Sequence, residues 1–131
     1  MSEGYVVNIK KAAKSNDYFR QVLFTAPKSQ LVLMALQAHE EIGAEVHEVD
    51  QVLYVVEGEG KVVLDGAGQE FEEGMIVVVP AGVRHNVINT DDEPMKLFTV
   101  YAPPQHAPGT VHRTKADAEA AEKRELQPTK P

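Results

Sequence analysis

Cysteine and tryptophan are absent from this chain of 131 residues, and four tyrosines and four phenylalanines supply all of its aromatic rings. Without cysteine there are no disulfides and no thiolate ligands, so any metal site must use histidine, carboxylate or amide groups. The chain also lacks a Cys–His nucleophile pair and a serine nucleophile elbow. These absences argue against nucleophilic catalysis by a thiol or by an activated serine.

Basic clusters and long apolar runs are missing as well. The net charge is −7 with a pI near 5.2, which repels a phosphate backbone, so we expect no nucleic-acid partner. No apolar run is long enough to span a bilayer, and the start of the sequence, MSEGYVVNIKK, has no apolar signal region. We therefore expect a soluble, cytoplasmic protein with no membrane partner.

Short β-type runs separated by turn residues fill the middle of the chain, which predicts an all-β sandwich or barrel. Asp65-Gly66 predicts a tight hairpin turn, because both positions tolerate positive φ. The runs are FRQVLFT, QLVLMALQ, QVLYVVEG, KVVLDG, QEFEEG, MIVVVP, HNVIN and MKLFTVYAP.

One domain is predicted, since the chain is short and has no internal repeat. We assign the barrel to residues 18–103 and an N-terminal arm or edge strand to residues 1–17. Residues 104–131 begin as a proline-rich extended arm and end as a disordered tail. Between them Thr114 is a predicted N-cap of a short, peripheral helix.

The stretch from Gly74 to Asn89, GMIVVVPAGVRHNVIN, carries the most specific pattern in the chain, Gly-x5-Pro-x-Gly-x2-His-x3-Asn. The apolar run Met75–Val79 predicts a strand buried on both faces, and Pro80-Ala81-Gly82 ends it in a turn. Because side chains alternate along a strand, His85 and Asn89 share one face.

This pattern resembles the second motif of the cupin superfamily, and the chain resembles a small single-domain cupin over about residues 18–103. The resemblance implies a double-stranded β-helix, or jelly roll, whose mouth often holds a divalent metal. When the first cupin motif is anchored on Gly58, its ligand positions fall on Glu45, His47 and Gln51. Two of these three positions differ from the family pattern, which has His and Glu where this chain has Glu45 and Gln51.

The metal ligands implied by the resemblance are Glu45, His47, Gln51 and His85. Two imidazoles and one carboxylate suit one Zn, Mn, Fe, Ni or Co ion, and the sequence does not choose among them. Gln51 is either a ligand or a hydrogen-bond donor beside the ion.

Other histidines are expected to be exposed: His39 in a turn, and His106 and His112 in the proline-rich arm, although an arm folded over the mouth of the barrel would bring His112 to the site. The pocket beside the metal is predicted to use alternating barrel residues, which otherwise pack in the core. They are Met34, Tyr54, Phe98 and Tyr101.

Three functions remain open at this point. The first is a metal-binding module that captures a small polar ligand. The second is a metal-dependent enzyme of the dioxygenase or isomerase type, and the third is a barrel with a structural metal or a vestigial site. The apolar strands also predict a homodimer.

Overall fold

The computed structural model describes the backbone of residues 4–126 and the side chains of residues 4–123. Within this range the chain forms nine strands and two helices. Their bounds are α1 Ile9–Ser15, β1 Arg20–Thr25, β2 Gln30–Leu36, β3 Asp50–Glu57, β4 Glu59–Leu64, β5 Ala67–Glu72, β6 Ile76–Val79, β7 His85–Asn89, β8 Met95–Ala102, β9 Val111–His112 and α2 Lys115–Leu126. The predicted all-β jelly roll is confirmed, and the eight β-type runs correspond to β1–β8.

Two antiparallel sheets make the barrel. The larger has the strand order β6-β3-β8-β2-β1-β9, and the smaller has the order β5-β4-β7. Alternate side chains of both sheets meet in one buried core, which includes Val32, Leu53 and Leu97 from the larger sheet and Val62 and Val87 from the smaller. Strands β3, β7 and β8 therefore present one face each to the barrel interior, where the candidate site lies.

The hairpin predicted at Asp65-Gly66 is present between β4 and β5. Both residues have positive φ, 47° and 85°, and Leu64 pairs with Ala67 across the turn. A two-residue turn with positive φ at both positions matches the twist of the strands it joins. Close packing of another kind occurs at Gly60, where a Cβ atom would lie 2.1 Å from the carbonyl oxygen of Ile88 on β7.

Strand β6 corrects the expectation of a strand buried on both faces. Val77 and Val79 are buried, but Ile76 and Val78 are 58% and 60% exposed. The reason is the covering layer: α1 packs on the outer face of β2, β3 and β8, and among the described residues no segment covers the outer face of β6. An unbroken apolar run is typical of a strand that has helices or another sheet packed on both faces, and β6 has such packing on its inner face alone among the described residues.

The N-terminal segment, for which an arm or an edge strand was expected, contains a helix and no strand among its described residues. Asn8 caps α1, its side-chain oxygen accepting a hydrogen bond from the Lys11 amide at 3.0 Å. Ile9, Ala12 and Ala13 have the i, i+3, i+4 spacing of a helical stripe and pack on the outer face of the larger sheet. The buried Lys96 ammonium on β8 donates to the carbonyl of Asn16 at the end of this helix.

The C-terminal segment runs as an extended arm from β8 to β9 and then forms α2. Thr114 caps α2 as predicted, accepting a hydrogen bond from the Asp117 amide at 3.1 Å. The helix is less peripheral than expected, since Ala118 is buried in the main core. The predicted disordered tail, 127–131, lies outside the described residues. None of the helices in residues 4–126 has the length and apolar character needed to cross a membrane.

Candidate metal centre

Three of the four predicted ligands converge at one end of the barrel. Glu45 and His47 lie in the segment that connects β2 to β3, residues 37–49, and His85 is the first residue of β7. One donor atom from each lies within 4.8 Å of the other two. Donors held about 2.0–2.2 Å from one ion lie at most about 4.4 Å apart, so small side-chain rotations bring this set onto an ion.

Backbone pairing fixes the connecting segment beside β7. The amide of Glu45 donates to the carbonyl of His85, and the amide of His85 donates to the carbonyl of Glu45, both at 2.9 Å. Directly opposed residues of an antiparallel pair place their side chains on the same face. The amide of Gly82 also donates to the carbonyl of His47 at 2.8 Å, which ties His47 to the turn after β6.

The tautomer of His85 is set by one hydrogen bond. Its Nδ1 lies 3.0 Å from the carbonyl oxygen of Val83, and a carbonyl only accepts, so Nδ1 carries the proton. In the neutral imidazole Nε2 then holds the lone pair, and this buried atom has no hydrogen-bond partner among the described residues. A histidine that binds metal through one ring nitrogen usually donates a hydrogen bond from its other ring nitrogen, often to a backbone carbonyl.

His47 also presents an unpartnered nitrogen. Its Nε2 is 3.3 Å from Oε1 of Glu45, and within the described part of the chain this buried nitrogen makes no hydrogen bond. The rings of His47 and His85 are 5.3 Å apart between centroids. Buried polar atoms are normally satisfied, so two orphaned imidazole nitrogens beside a carboxylate indicate a missing ligand.

Gln51 lies on β3 with its side chain buried. Its Nε2 donates to Oγ1 of Thr99 at 3.1 Å, and its Oε1 is buried without a partner in residues 4–123. The hydrogen bond to Thr99 orients the amide and leaves its oxygen free for an ion or for a water beside it. Both roles considered from the sequence remain open on this geometry.

Asn89, the last residue of the motif, is structural. Its amide nitrogen donates to the carbonyls of Leu36, Gln37 and Glu93, and its Oδ1 accepts from the Asp91 amide. The side chain is fully buried, so these contacts hold the start of the connecting segment against the end of β7.

The comparison with known proteins identifies the family. Residues 32–101, just over half of the chain, match the family model described as the cupin domain. The chain belongs to the cupin family. Protein YrkC of Bacillus subtilis (strain 168) is 46% identical to it over 125 residues, which are 90% of this chain and 67% of that protein.

Two solved structures are similar to this cupin over most of its length. BH2720 from Bacillus halodurans is 44% identical with a TM-score of 0.87, over 88% of this chain and 93% of that chain. TT1209 from Thermus thermophilus is 30% identical with a TM-score of 0.67, over 75% of this chain and 96% of that chain.

A cavity of about 570 Å³ opens beside the candidate metal centre of this cupin. The sequence predictions missed most of its walls, because they come from β1 and from the last quarter of the chain. A signal existed for Arg20, which shares a strand face with the apolar Val22 and so had to point inward. The lining residues are Arg20, Glu45, Val46, His47, Gln105, His106, Ala107, Thr110, His112 and Glu122.

His106 and His112 were expected to be exposed, and that expectation is wrong for both. The buried amide of Gln30 holds the arm, accepting from the amides of Gln105 and His106 and donating to the His106 carbonyl at 2.7 Å. His112 is on β9, opposite Arg20 in the register with β1. The arm therefore crosses the mouth of the barrel and brings both imidazoles to the cavity.

Burial controls the ionisation of two groups at this wall. Burial, together with the positive charge of Arg20, lowers the pKa of His106 to about 3, so the imidazole is neutral near pH 7. Burial raises the pKa of the Tyr101 phenol, against a lowering by Arg20, so Tyr101 stays protonated. Its ring lies edge-on to both His47 and His106, at centroid distances of 5.8 and 5.2 Å.

The other predicted pocket residues face elsewhere. Met34 is buried in the main core. Tyr54 and Phe98 stack on each other, 5.2 Å between ring centroids, on the outer face of the larger sheet beside α1. Strand alternation explains the error. Tyr54 lies three residues after Gln51 on β3, so its side chain points to the opposite face of the sheet.

Proposed function

We propose that this cupin binds one divalent transition metal ion through Glu45, His47 and His85, and binds a small polar ligand in the adjoining cavity. The observation that carries the proposal is the pair of buried, unpartnered imidazole nitrogens facing a carboxylate. Two imidazoles and a carboxylate suit Zn, Mn, Fe, Ni or Co. An ion held there supplies a Lewis acid that polarises an oxygen of the bound ligand.

Gln51 is the proposed fourth protein group at the ion. Its Nε2 is held by Thr99 at 3.1 Å, which supports a role for the free Oε1 as a weak ligand or as the acceptor for a metal-bound water.

A metal-dependent enzyme of the dioxygenase or isomerase type is the second candidate. Three protein ligands leave coordination positions open, and open positions distinguish catalytic from closed structural sites. The adjoining cavity favours this function over a purely structural metal, because a structural site has no need of a lined chamber beside it. A cytoplasmic location remains a prediction.

We also propose a homodimer in which β6 lies at the interface. The exposed Ile76 and Val78 on this edge strand support it, since an unpaired apolar edge is otherwise an aggregation hazard.

Elemental analysis of protein purified without added metal tests the main proposal. We expect about one transition metal ion per chain, or a rise in melting temperature when Zn, Mn, Fe(II), Ni or Co is added to chelator-treated protein, because an ion that binds only the folded state stabilises it. Absence of bound metal together with an unchanged melting temperature for all five ions overturns the ligand assignment.

A further inference from the structure

Arg20 is a buried cation in the wall of the cavity. It is the first residue of β1, its exposure is 2%, and it lines the same chamber as Glu45 and His47. A guanidinium keeps its charge at all ordinary pH values, so a buried arginine cannot escape the cost of desolvation by losing a proton. Such a group is stable in a protein when an anion and hydrogen-bond acceptors surround it.

The partners of Arg20 within the described residues compensate it only in part. Its NH1 donates to Nδ1 of His112 at 3.0 Å, and this nitrogen therefore carries no proton. The Tyr101 phenol is a further hydrogen-bond partner, and it is uncharged. Among side chains of residues 4–123, the carboxylate within 4.0 Å is that of Glu122, at 3.9 Å and itself 45% exposed. The Nε of Arg20 is buried and has no partner in the same range.

Other residues that line the cavity are polar but uncharged, so they offer hydrogen bonds to a ligand and do not neutralise the charge of Arg20. Gln105 and Thr110 line it with uncharged groups, and His106 is a neutral imidazole. The chamber thus has a buried positive charge on the β1 side and the candidate metal ligands on the other. A volume of about 570 Å³ admits a small organic molecule.

We propose that the cavity binds a small carboxylate whose anionic group pairs with the Arg20 guanidinium, while Glu122 competes for the same charge and His112 positions it. This proposal rests on the proposed function, because it names the ligand class of that site. Arg20 lines the cavity and its Nε makes no hydrogen bond within the described residues, and a planar carboxylate pairs with a guanidinium through two parallel hydrogen bonds. The nearby carboxylates of Glu45 and Glu122 disfavour a group that concentrates two negative charges in one place, such as hydrogen phosphate, more than a ligand whose charges lie on separate carboxylates.

The test is calorimetric titration of succinate into protein loaded with the ion that raises the melting temperature most. Succinamide is the uncharged isostere, and inorganic phosphate is the competing oxyanion. We expect succinate to bind, succinamide to bind at least ten-fold more weakly, and phosphate to bind more weakly than succinate. Arg20→Gln should weaken succinate binding about thirty-fold or more, as truncation of a buried charge partner does.

Two further variants complete the test. Arg84→Gln removes an equal charge from an exposed position outside the cavity and should change succinate affinity less than about two-fold. Glu122→Gln should tighten succinate binding several-fold because it removes the competing carboxylate, and it decides the matter if Arg20→Gln does not fold.

The outcomes separate this inference from the proposed function. Metal uptake with succinate binding that is unaffected by both Arg20→Gln and Glu122→Gln overturns the inference alone. Succinate binding that depends on Arg20 in protein that takes up no metal supports the inference and overturns the metal site. Stronger binding of phosphate or succinamide than of succinate overturns the carboxylate assignment.

Discussion

Glu45 and His85 exchange both of their backbone hydrogen bonds, each 2.9 Å long, although Glu45 lies outside the regular strands. This single bridge puts a carboxylate from an irregular segment beside an imidazole from a strand of the barrel. The donor set therefore depends on backbone geometry that a side-chain substitution leaves in place, so its members can be tested one at a time.

Replacement of His85 by alanine should abolish stabilisation by metal. At an ion concentration of 100 times the dissociation constant, wild-type protein gains about 2.7 kcal/mol of unfolding free energy, and His85→Ala should gain almost none because it lacks one of three ligands. Denaturant unfolding with and without the ion measures the gain. His39→Asn is the matched control, since His39 is exposed and its positive φ of 60° is tolerated by asparagine. An equal gain in wild type and His85→Ala would contradict the site.

Replacement of Gln51 by glutamate should have opposite effects with and without metal. In chelator the free energy of unfolding of the variant should be lower by about 1–3 kcal/mol. The reason is that the new carboxyl group is buried where the Oε1 of Gln51 already has no hydrogen-bond partner among the described residues. With metal the added carboxylate should bind the ion more tightly, by about ten-fold or more. Gln51→Met removes the donor without adding charge and is the companion variant. Identical metal affinity in all three proteins would remove Gln51 from the site.

His106 predicts a specific dependence of stability on pH. Its pKa is about 3 in the folded protein against about 6.5 when unfolded, so the unfolded chain binds the extra proton between these values. Stability from this group is complete above pH 6.5 and is lost toward pH 3, at about 1.4 kcal/mol per pH unit. His106→Gln should therefore lose about 2 kcal/mol less than wild type between pH 7 and pH 5, measured by urea unfolding in chelator. Parallel losses in the two proteins would show that His106 is not desolvated.

The exposed face of β6 predicts the effect of charge on assembly. Ile76→Lys with Val78→Lys should convert a dimer to a monomer at micromolar concentration, since both side chains are more than half exposed in the isolated chain and the fold should tolerate them. Light scattering and sedimentation measure the mass. Thr90→Lys, in an exposed loop, is the control for added charge. A double variant that remains dimeric places the interface elsewhere, and a monomeric wild type excludes the dimer.

The motif from Gly74 to Asn89 predicts its own strand, turn and histidine because its determinants are local. A turn at Gly82, with φ of 88°, and two-residue alternation suffice to put His85 on the inner face. Gln51 and Glu45 were located by the family pattern, and their convergence with His85 required the pairing of residues 37–49 with β7, which no local pattern encodes.

The errors share a different cause, which is contact between segments distant in sequence. Ile76 and Val78 are as apolar as Val77 and Val79, but alternate side chains of β6 point to opposite faces, and only the inner face is covered by the core. His106 and His112 have the composition of an exposed arm, yet Gln30 and Arg20 draw them to the cavity across 76 and 92 residues. The residue types alone do not predict these contacts between distant segments, because the contacts depend on the strand topology.

Strand β9 has two residues, and its hold on β1 is correspondingly small. The wall it forms should open by local unfolding far more often than the barrel strands, while Glu45, His47 and His85 stay in place on separate backbone pairs. In hydrogen exchange, the amides of Phe19 and Val22, which donate to Arg113 and Thr110, should lose protection well before those of Glu45 and His85. Opening of the arm would then give the ligand access to the cavity, and the ligand would bind and dissociate without release of the metal.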